Sequence, residues 1–235
     1  MTVTHPQINF ILVEPARPEN IGAAARAMKT MGFTVLRLVN PADHPSAQAH
    51  QLAHGATDLI AAAQVFDSLE AAISGSDLVI GTSAKRKHSH RDYHAPEQLL
   101  EVLRNKIGTV REIALVFGSE KNGLSKADLK HCHLVSTIPM AVAYPSLNLA
   151  QAVMVYAYAL APLVACESTL ELAQVSSDEW KILYLKAGRL LDQIGIPPGS
   201  QLHGRMLERL SVSGRNDIHL LLSFLGKIEQ KLKPV

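Results

Sequence analysis

At 235 residues the chain exceeds the usual single-domain size, and one α/β domain with a helical appendage accounts for it. Hydrophobic residues make up 47%, enough for a sizeable core, and no low-complexity tract argues for disorder. A net charge of only +2 excludes a globally basic nucleic-acid binder, so any surface for a polyanion has to be a local patch. Cys132 and Cys166 are the only cysteines, and their apolar neighbours make them two reduced core thiols. The opening MTVTHPQINFILVE has no basic run leading into a long apolar stretch, so no signal peptide is expected. The longest apolar stretch, residues 147–165, is interrupted by Asn148, Gln151 and Pro162, and reads as a helix buried on a sheet rather than a membrane span. A soluble, cytoplasmic protein is expected.

Residues 8–13 (INFILV) read as a fully buried strand, followed by an alanine-rich helix over 19–31 that Gly32 closes. Residues 35–39 form the next strand, ended by Asn40 and Pro41. Residues 77–82 (DLVIGT) and 113–117 (IALVF) repeat the apolar-strand theme, with helices expected over 68–73 and 96–106. Residues 134–138 are the last strand, and 146–163 a long helix with Ser146 as its N-cap. Strands separated by helices predict a parallel sheet covered on both faces. The polar stretch 167–177 reads as a linker. Beyond it, amphipathic helices at about 178–194, 201–210 and 216–231 are punctuated by Ile-Pro-Pro-Gly and Ser-Gly. In the last of them Ile218, Leu221, Leu222, Leu225 and Ile228 form one apolar stripe. Two units are expected, 1–165 and 166–235.

Several chemistries are excluded by what is missing. No Gly-x-Gly-x-x-Gly follows the first strand, so a dinucleotide-binding oxidoreductase is not indicated. Gly118-Ser-Glu-Lys-Asn-Gly123 has the glycine spacing of a phosphate loop without its lysine and hydroxyl. There is no Gly-x-Ser-x-Gly elbow and no Cys-x-x-Cys. His88, His90 and His94 have a spacing that can ligate a metal, but Lys85, Arg86, Lys87 and Arg91 crowd the same segment with positive charge, and no metal is expected. That cluster is the densest basic run in the chain and the candidate for touching phosphates.

Three segments, each just after a buried strand, look like parts of one site. The first is Asn20-Ile-Gly-Ala-Ala-Ala-Arg26, which a capping asparagine and a surface arginine would also explain. The second is Phe117-Gly-Ser-Glu-Lys-Asn-Gly123, a strand running into a glycine loop where backbone can approach a ligand. The third runs from Ile138 through Pro145 to Ser146-Leu-Asn148 and into the long helix.

In this order and spacing the segments resemble the signature motifs of the SPOUT methyltransferases, in the TrmH-like (SpoU) branch and most closely its TrmJ group. The matching residues are Asn20-x-Gly-x-x-x-Arg26, Ala27-Met-Lys-Thr-Met-Gly32, Val116-Phe-Gly-x-Glu-x-x-Gly-Leu124 and Pro145-Ser-Leu-Asn-Leu149. The resemblance covers residues 8 to about 160 and fades after about 165. It implies a C-terminal trefoil knot in the α/β domain, a feature rare among folds generally. It also implies that Thr82, Ser83, Ala84, Gly118, Ile138, Pro145, Ser146 and Leu147 cradle S-adenosylmethionine. The implied partners are structured RNA, tRNA ahead of rRNA, and a second copy of the chain that completes the RNA site.

The implied reaction is methylation of a ribose 2′-hydroxyl. Arg26 is a poor base because guanidinium stays protonated, so it is expected to grip a phosphate bidentately and stabilise the emerging alkoxide. The proton then passes to an RNA phosphate or to water. Asn20 is expected to orient Arg26 or the ribose, Glu120 to brace the loops, and Asn148 with Ser146 to fix the last loop. Two alternatives stand beside this: a catalytically silent RNA-binding module of the same fold, and a methyltransferase acting on RNA bases.

Overall fold

The structure, a computed structural model, describes residues 6–84, 92–142, 146–164, 177–213 and 215–232. Its first strand, β1 (Gln7–Val13), is buried from Ile8 onward on both faces, as a central strand of a parallel sheet must be. Helix α1 (Pro18–Thr30) opens with proline at its first position, where a missing N–H costs nothing. It closes on Gly32 at φ +85°, with Phe33 N–H donating to the Met28 carbonyl and Gly32 N–H to that of Lys29. This left-handed closure favours glycine, as the sequence leads one to expect.

The chain then runs through β2 (Val35–Val39), α2 (Ala47–Ala53), α3 (Thr57–Ala61), β3 (Gln64–Phe66) and α4 (Leu69–Ile73). The middle third holds β4 (Leu78–Thr82), β5 (Tyr93–His94), α5 (Pro96–Arg104), β6 (Glu112–Phe117), α6 (Lys126–Lys130), β7 (Leu134–Ser136) and α7 (Leu149–Leu160). The strands form one sheet in the order β3-β2-β1-β6-β4-β7-β5, parallel at every pairing. Late strands are inserted between early ones: β6 separates β1 from β4, and β7 separates β4 from β5.

Alternation along β1 sorts the helices into two layers. Ile8, Phe10 and Leu12 pack with Ile21, Ala24 and Met28 of α1, Leu99 and Leu103 of α5, and Val153 and Tyr156 of α7. Ile11 and Val13 pack on the other face with Leu69 and Ala72 of α4 and Leu129 of α6. Cys132 is a free, buried thiol in that second layer, while Cys166 lies outside the described residues.

After residue 176 come α8 (Ser177–Gln193), α9 (Gln201–Val212) and α10 (Arg215–Leu232). Trp180, Leu183 and Ile218 of these helices join the first core layer, and Leu221, Leu222 and Leu225 pack against it. Helix α8 docks at the edge where β4, β6 and β7 begin. There Lys181 pairs with the buried Asp77 at 2.5 Å, and Asp77 also accepts the Arg111 and Glu112 N–H groups. His133, just before β7, meets the rings of Trp180 and Tyr184 edge-on at 5.9 and 5.0 Å.

Three expectations need correction. The last strand stops at Ser136, because residues 137–138 turn away into a loop. Helix α7 begins at Leu149 with Asn148, not Ser146, as its N-cap. Asn20 is not a cap either, because α1 starts two residues earlier, after Arg17. The expected linker 167–177 falls almost wholly outside the described residues. Among the described residues no helix is long and apolar enough to cross a membrane.

Candidate active site

Parallel strands deliver their connecting loops to one edge of the sheet, and a ligand site forms outside the strands' C-terminal ends. Here that edge carries residues 14–20, 82–84, 118–124, 137–142 and 146–148. Glu120 ties the 118–124 segment to residues 14–20, and Asn20 carries the link on to Asn148. Its Oε2 accepts the Ala16 N–H at 2.9 Å, and its Oε1 accepts the Asn20 side-chain amide at 2.7 Å. Asn20 in turn accepts the Asn148 amide at 2.8 Å, and Asn148 caps α7 by accepting the Gln151 N–H at 3.1 Å. Burial works against ionising Glu120, but the donors from Ala16 and Asn20 prevail and hold its carboxyl below the usual range. The carboxylate thus accepts from both the backbone and a side chain of the 14–20 segment.

The glycine loop is built by contact. A Cβ on Gly118 would lie 2.1 Å from the Gly123 carbonyl carbon and the Leu124 nitrogen, so only glycine lets the turn fold back on itself. Gly123, at φ +66°, closes that turn by donating to the Ser119 carbonyl at 2.8 Å. Thr82, at the end of β4, donates its hydroxyl to the Val116 carbonyl at 3.0 Å, and the Ser83 N–H donates to the Ser136 carbonyl at 2.9 Å. Ala84 is exposed, and Ile138 is half-buried against the core. Ser146 and Leu147 are exposed on the approach to α7, while Pro145 lies outside the described residues.

The side chains and backbone thus brought to one edge carry hydroxyls, amides and the apolar groups of Ile138 and Leu147, with no formal charge at Thr82, Ser83, Gly118, Ile138, Ser146 or Leu147. That chemistry fits S-adenosylmethionine: apolar side chains for the adenine faces, and backbone amides and carbonyls for its polar edges.

Arg26 is exposed, and among the described residues it has no ion pair. Asn20 is only 7% exposed, and both ends of its amide are engaged by Glu120 and Asn148. The two residues therefore do not act on each other directly. Asn20 is bonded between Glu120 and Asn148, and Arg26 faces solvent. Lys85, Arg86, Lys87 and Arg91 lie outside the described residues, as do His88 and His90. His94 lies in β5, and among the described residues no cluster of metal-ligating side chains occurs.

One contributor to the site, and the capping role of another, escape motif reading. The Ala16 N–H shows no side-chain chemistry at all. Asn148 as a cap did carry a signal, since Gln151 three residues on completes a capping box.

The fold and site define a methylase class. The family model described as "SpoU rRNA Methylase family" matches residues 7–158, and the chain belongs to that family. It is 36% identical over 226 residues to the uncharacterised tRNA/rRNA methyltransferase LasT of Escherichia coli (strain K12), covering 96% of this chain and 99% of that protein. It is 36% identical over 249 residues to the tRNA (cytidine/uridine-2′-O-)-methyltransferase TrmJ of Yersinia enterocolitica, covering 96% of this chain and 93% of the other. Among solved structures, a probable methylase family protein from Haemophilus influenzae superposes with a TM-score of 0.71 at 32% identity, covering 97% of this chain and 98% of its own.

Proposed function

We propose that this chain is an S-adenosylmethionine-dependent RNA methyltransferase that acts on a ribose 2′-hydroxyl of tRNA. The observation that carries the reading is the Glu120–Asn20–Asn148 chain, which ties the three motif segments into one site at the strands' C-terminal edge. Near full-length similarity to a tRNA 2′-O-methyltransferase supports the substrate.

Bound S-adenosylmethionine supplies an electrophilic methyl group. The protein's part is to hold the loops in one geometry, so that ordering is completed before the reaction rather than during it. The exposed guanidinium of Arg26 binds a phosphate beside the target ribose in a two-pronged grip and offsets negative charge growing on the 2′-oxygen. The hydroxyl proton leaves to an RNA phosphate or to water. The basic run from Lys85 to Arg91 takes further phosphates. This reading includes a cytoplasmic homodimer, no metal, an α/β unit over 1–165 threaded as a trefoil knot, and a helical unit over 166–235. The insertion of β6 and β7 between earlier strands supports the threading.

Incubating the purified protein with S-adenosylmethionine and unmodified tRNA, then digesting to nucleosides, should yield a ribose-methylated nucleoside by mass spectrometry. Methylation on a base, or none with a folded protein on tRNA, would overturn the proposal.

A further inference from the structure

Ser136, the last residue of β7, is fully buried and joins four elements. Its hydroxyl donates to the His94 carbonyl of β5 at 2.7 Å and accepts the Tyr156 hydroxyl of α7 at 2.8 Å. Its carbonyl accepts the Ser83 N–H, and the next residue, Thr137, donates its own N–H to the same His94 carbonyl at 3.0 Å. Tyr156 is 1% exposed and sets its ring edge-on against Phe117, the residue before Gly118, at 5.5 Å. Burial pushes its phenol far above the ordinary value of 10, so the hydroxyl keeps the proton it donates to Ser136.

The consequence lies in the connectivity. Strand β7 ends at Ser136 and α7 opens at Leu149, and the Tyr156–Ser136 bond ties that helix to the strand end. The same serine pins the exit of β4 through Ser83. The end of β4 and helix α7 therefore meet at one buried residue, Ser136, whose carbonyl holds Ser83 and whose hydroxyl holds Tyr156. Deep burial makes the bond costly to break from either side: Ser136→Ala leaves the Tyr156 hydroxyl without this acceptor, and Tyr156→Phe leaves the Ser136 hydroxyl its bond to the His94 carbonyl but no donor from α7.

We propose that Tyr156 and Ser136 are positioning residues that set cofactor affinity without touching the cofactor. The proposal rests on the reading that Thr82, Ser83, Ala84, Ile138, Ser146 and Leu147 help to hold S-adenosylmethionine. Its test is calorimetric titration of S-adenosylhomocysteine into the full-length wild type, Tyr156→Phe, Ser136→Ala and the double variant, with thermal melting and methyl-transfer kinetics on each.

Tyr156→Phe keeps the ring against Phe117 and removes one hydrogen bond, so Kd should rise about 3- to 10-fold. The loss should appear in KM for S-adenosylmethionine rather than in kcat. The double variant should bind no more weakly than the worse single variant, because both remove the same bond. A purely structural role predicts a lower Tm with Kd and KM unmoved, and that result in either folded single variant would overturn the proposal. Lack of binding by the wild type would overturn the cofactor reading itself, and is told apart because it needs no variant.

Discussion

Arg26 and Asn20 stand six positions apart on one helix, yet the structure gives them opposite environments. Asn20 points into a closed hydrogen-bond chain, and Arg26 is exposed with no ion pair among the described residues. Removing an exposed side chain outside any ion pair of the described residues costs little stability, generally within about 0.5 kcal/mol. Arg26→Ala should therefore melt like the wild type and bind S-adenosylhomocysteine with nearly unchanged affinity while losing methyl transfer. Arg26→Lys should restore little, since a point charge does not reproduce a planar two-pronged donor. Calorimetry and a radiolabelled methyl-transfer assay on the same samples check both halves. Full activity in Arg26→Ala would remove it from the reaction. The type and motif position of each residue were legible in the sequence. Which of them faces inward was not, because helix geometry sets only the angle between the two, about 120°, and not the neighbours each meets.

Among the elements, long apolar segments were the legible ones. The strand over 113–117 and the helices over 19–31 and 96–106 stand within two residues of where their patterns placed them. What periodicity left out is short: α2, α3 and α6 have seven, five and five residues, and β3 and β5 have three and two. A segment under two helical turns gives too few positions for a repeat, and an edge strand of two residues gives none. The start of α7 is a different kind of miss. Ser146 and Asn148 are both good caps, and the choice falls to Asn148 because Gln151 reciprocates and Asn20 accepts its amide. Asn148→Ala should consequently destabilise the protein by about 1–2 kcal/mol. Ser146→Ala should stay within about 0.5 kcal/mol. Urea denaturation of the two variants separates the assignments, and equal losses would return the cap to Ser146.

At the scale of the molecule, the C-terminal helices share a core with the sheet, and a lysine lies at the seam. Lys106, just past α5, is fully buried. Its ammonium donates to the Ser213 carbonyl at 3.1 Å and sits 5.0 Å from the centre of the Trp180 ring. Burial lowers its pKa from 10.5 to about 7. Below pH 7 folded and unfolded chains both hold the proton, so the cost of burying the charge is fully present. Between 7 and 10.5 the unfolded chain holds a proton that the folded chain has released, so stability rises with pH, by at most about 1.4 kcal/mol per unit. Lys106→Met should flatten that rise and stabilise the protein at pH 7, as measured by denaturation at pH 6.5, 8 and 9.5. An unchanged pH slope in the variant would place the dependence on another group. A lysine ending an amphipathic helix reads as a surface residue, and only the docking of α8 and the α9–α10 junction buries it.

The strand order also governs when the molecule can form at all. Both neighbours of β4, namely β6 and β7, come later in the chain, and β5 pairs only with β7 among the described strands. Asn9 of β1 lies beside Ala114, across more than a hundred residues. A ribosome that has released the first hundred residues has thus made β4 and β5 with nothing for either to bond to, so sheet closure waits for the last third of the domain. Pairing over such separations is slow, because loop entropy is lost before contacts return it. The half-made chain exposes apolar strand edges in the meantime, and its passage through synthesis is where this sequence is most vulnerable to aggregation.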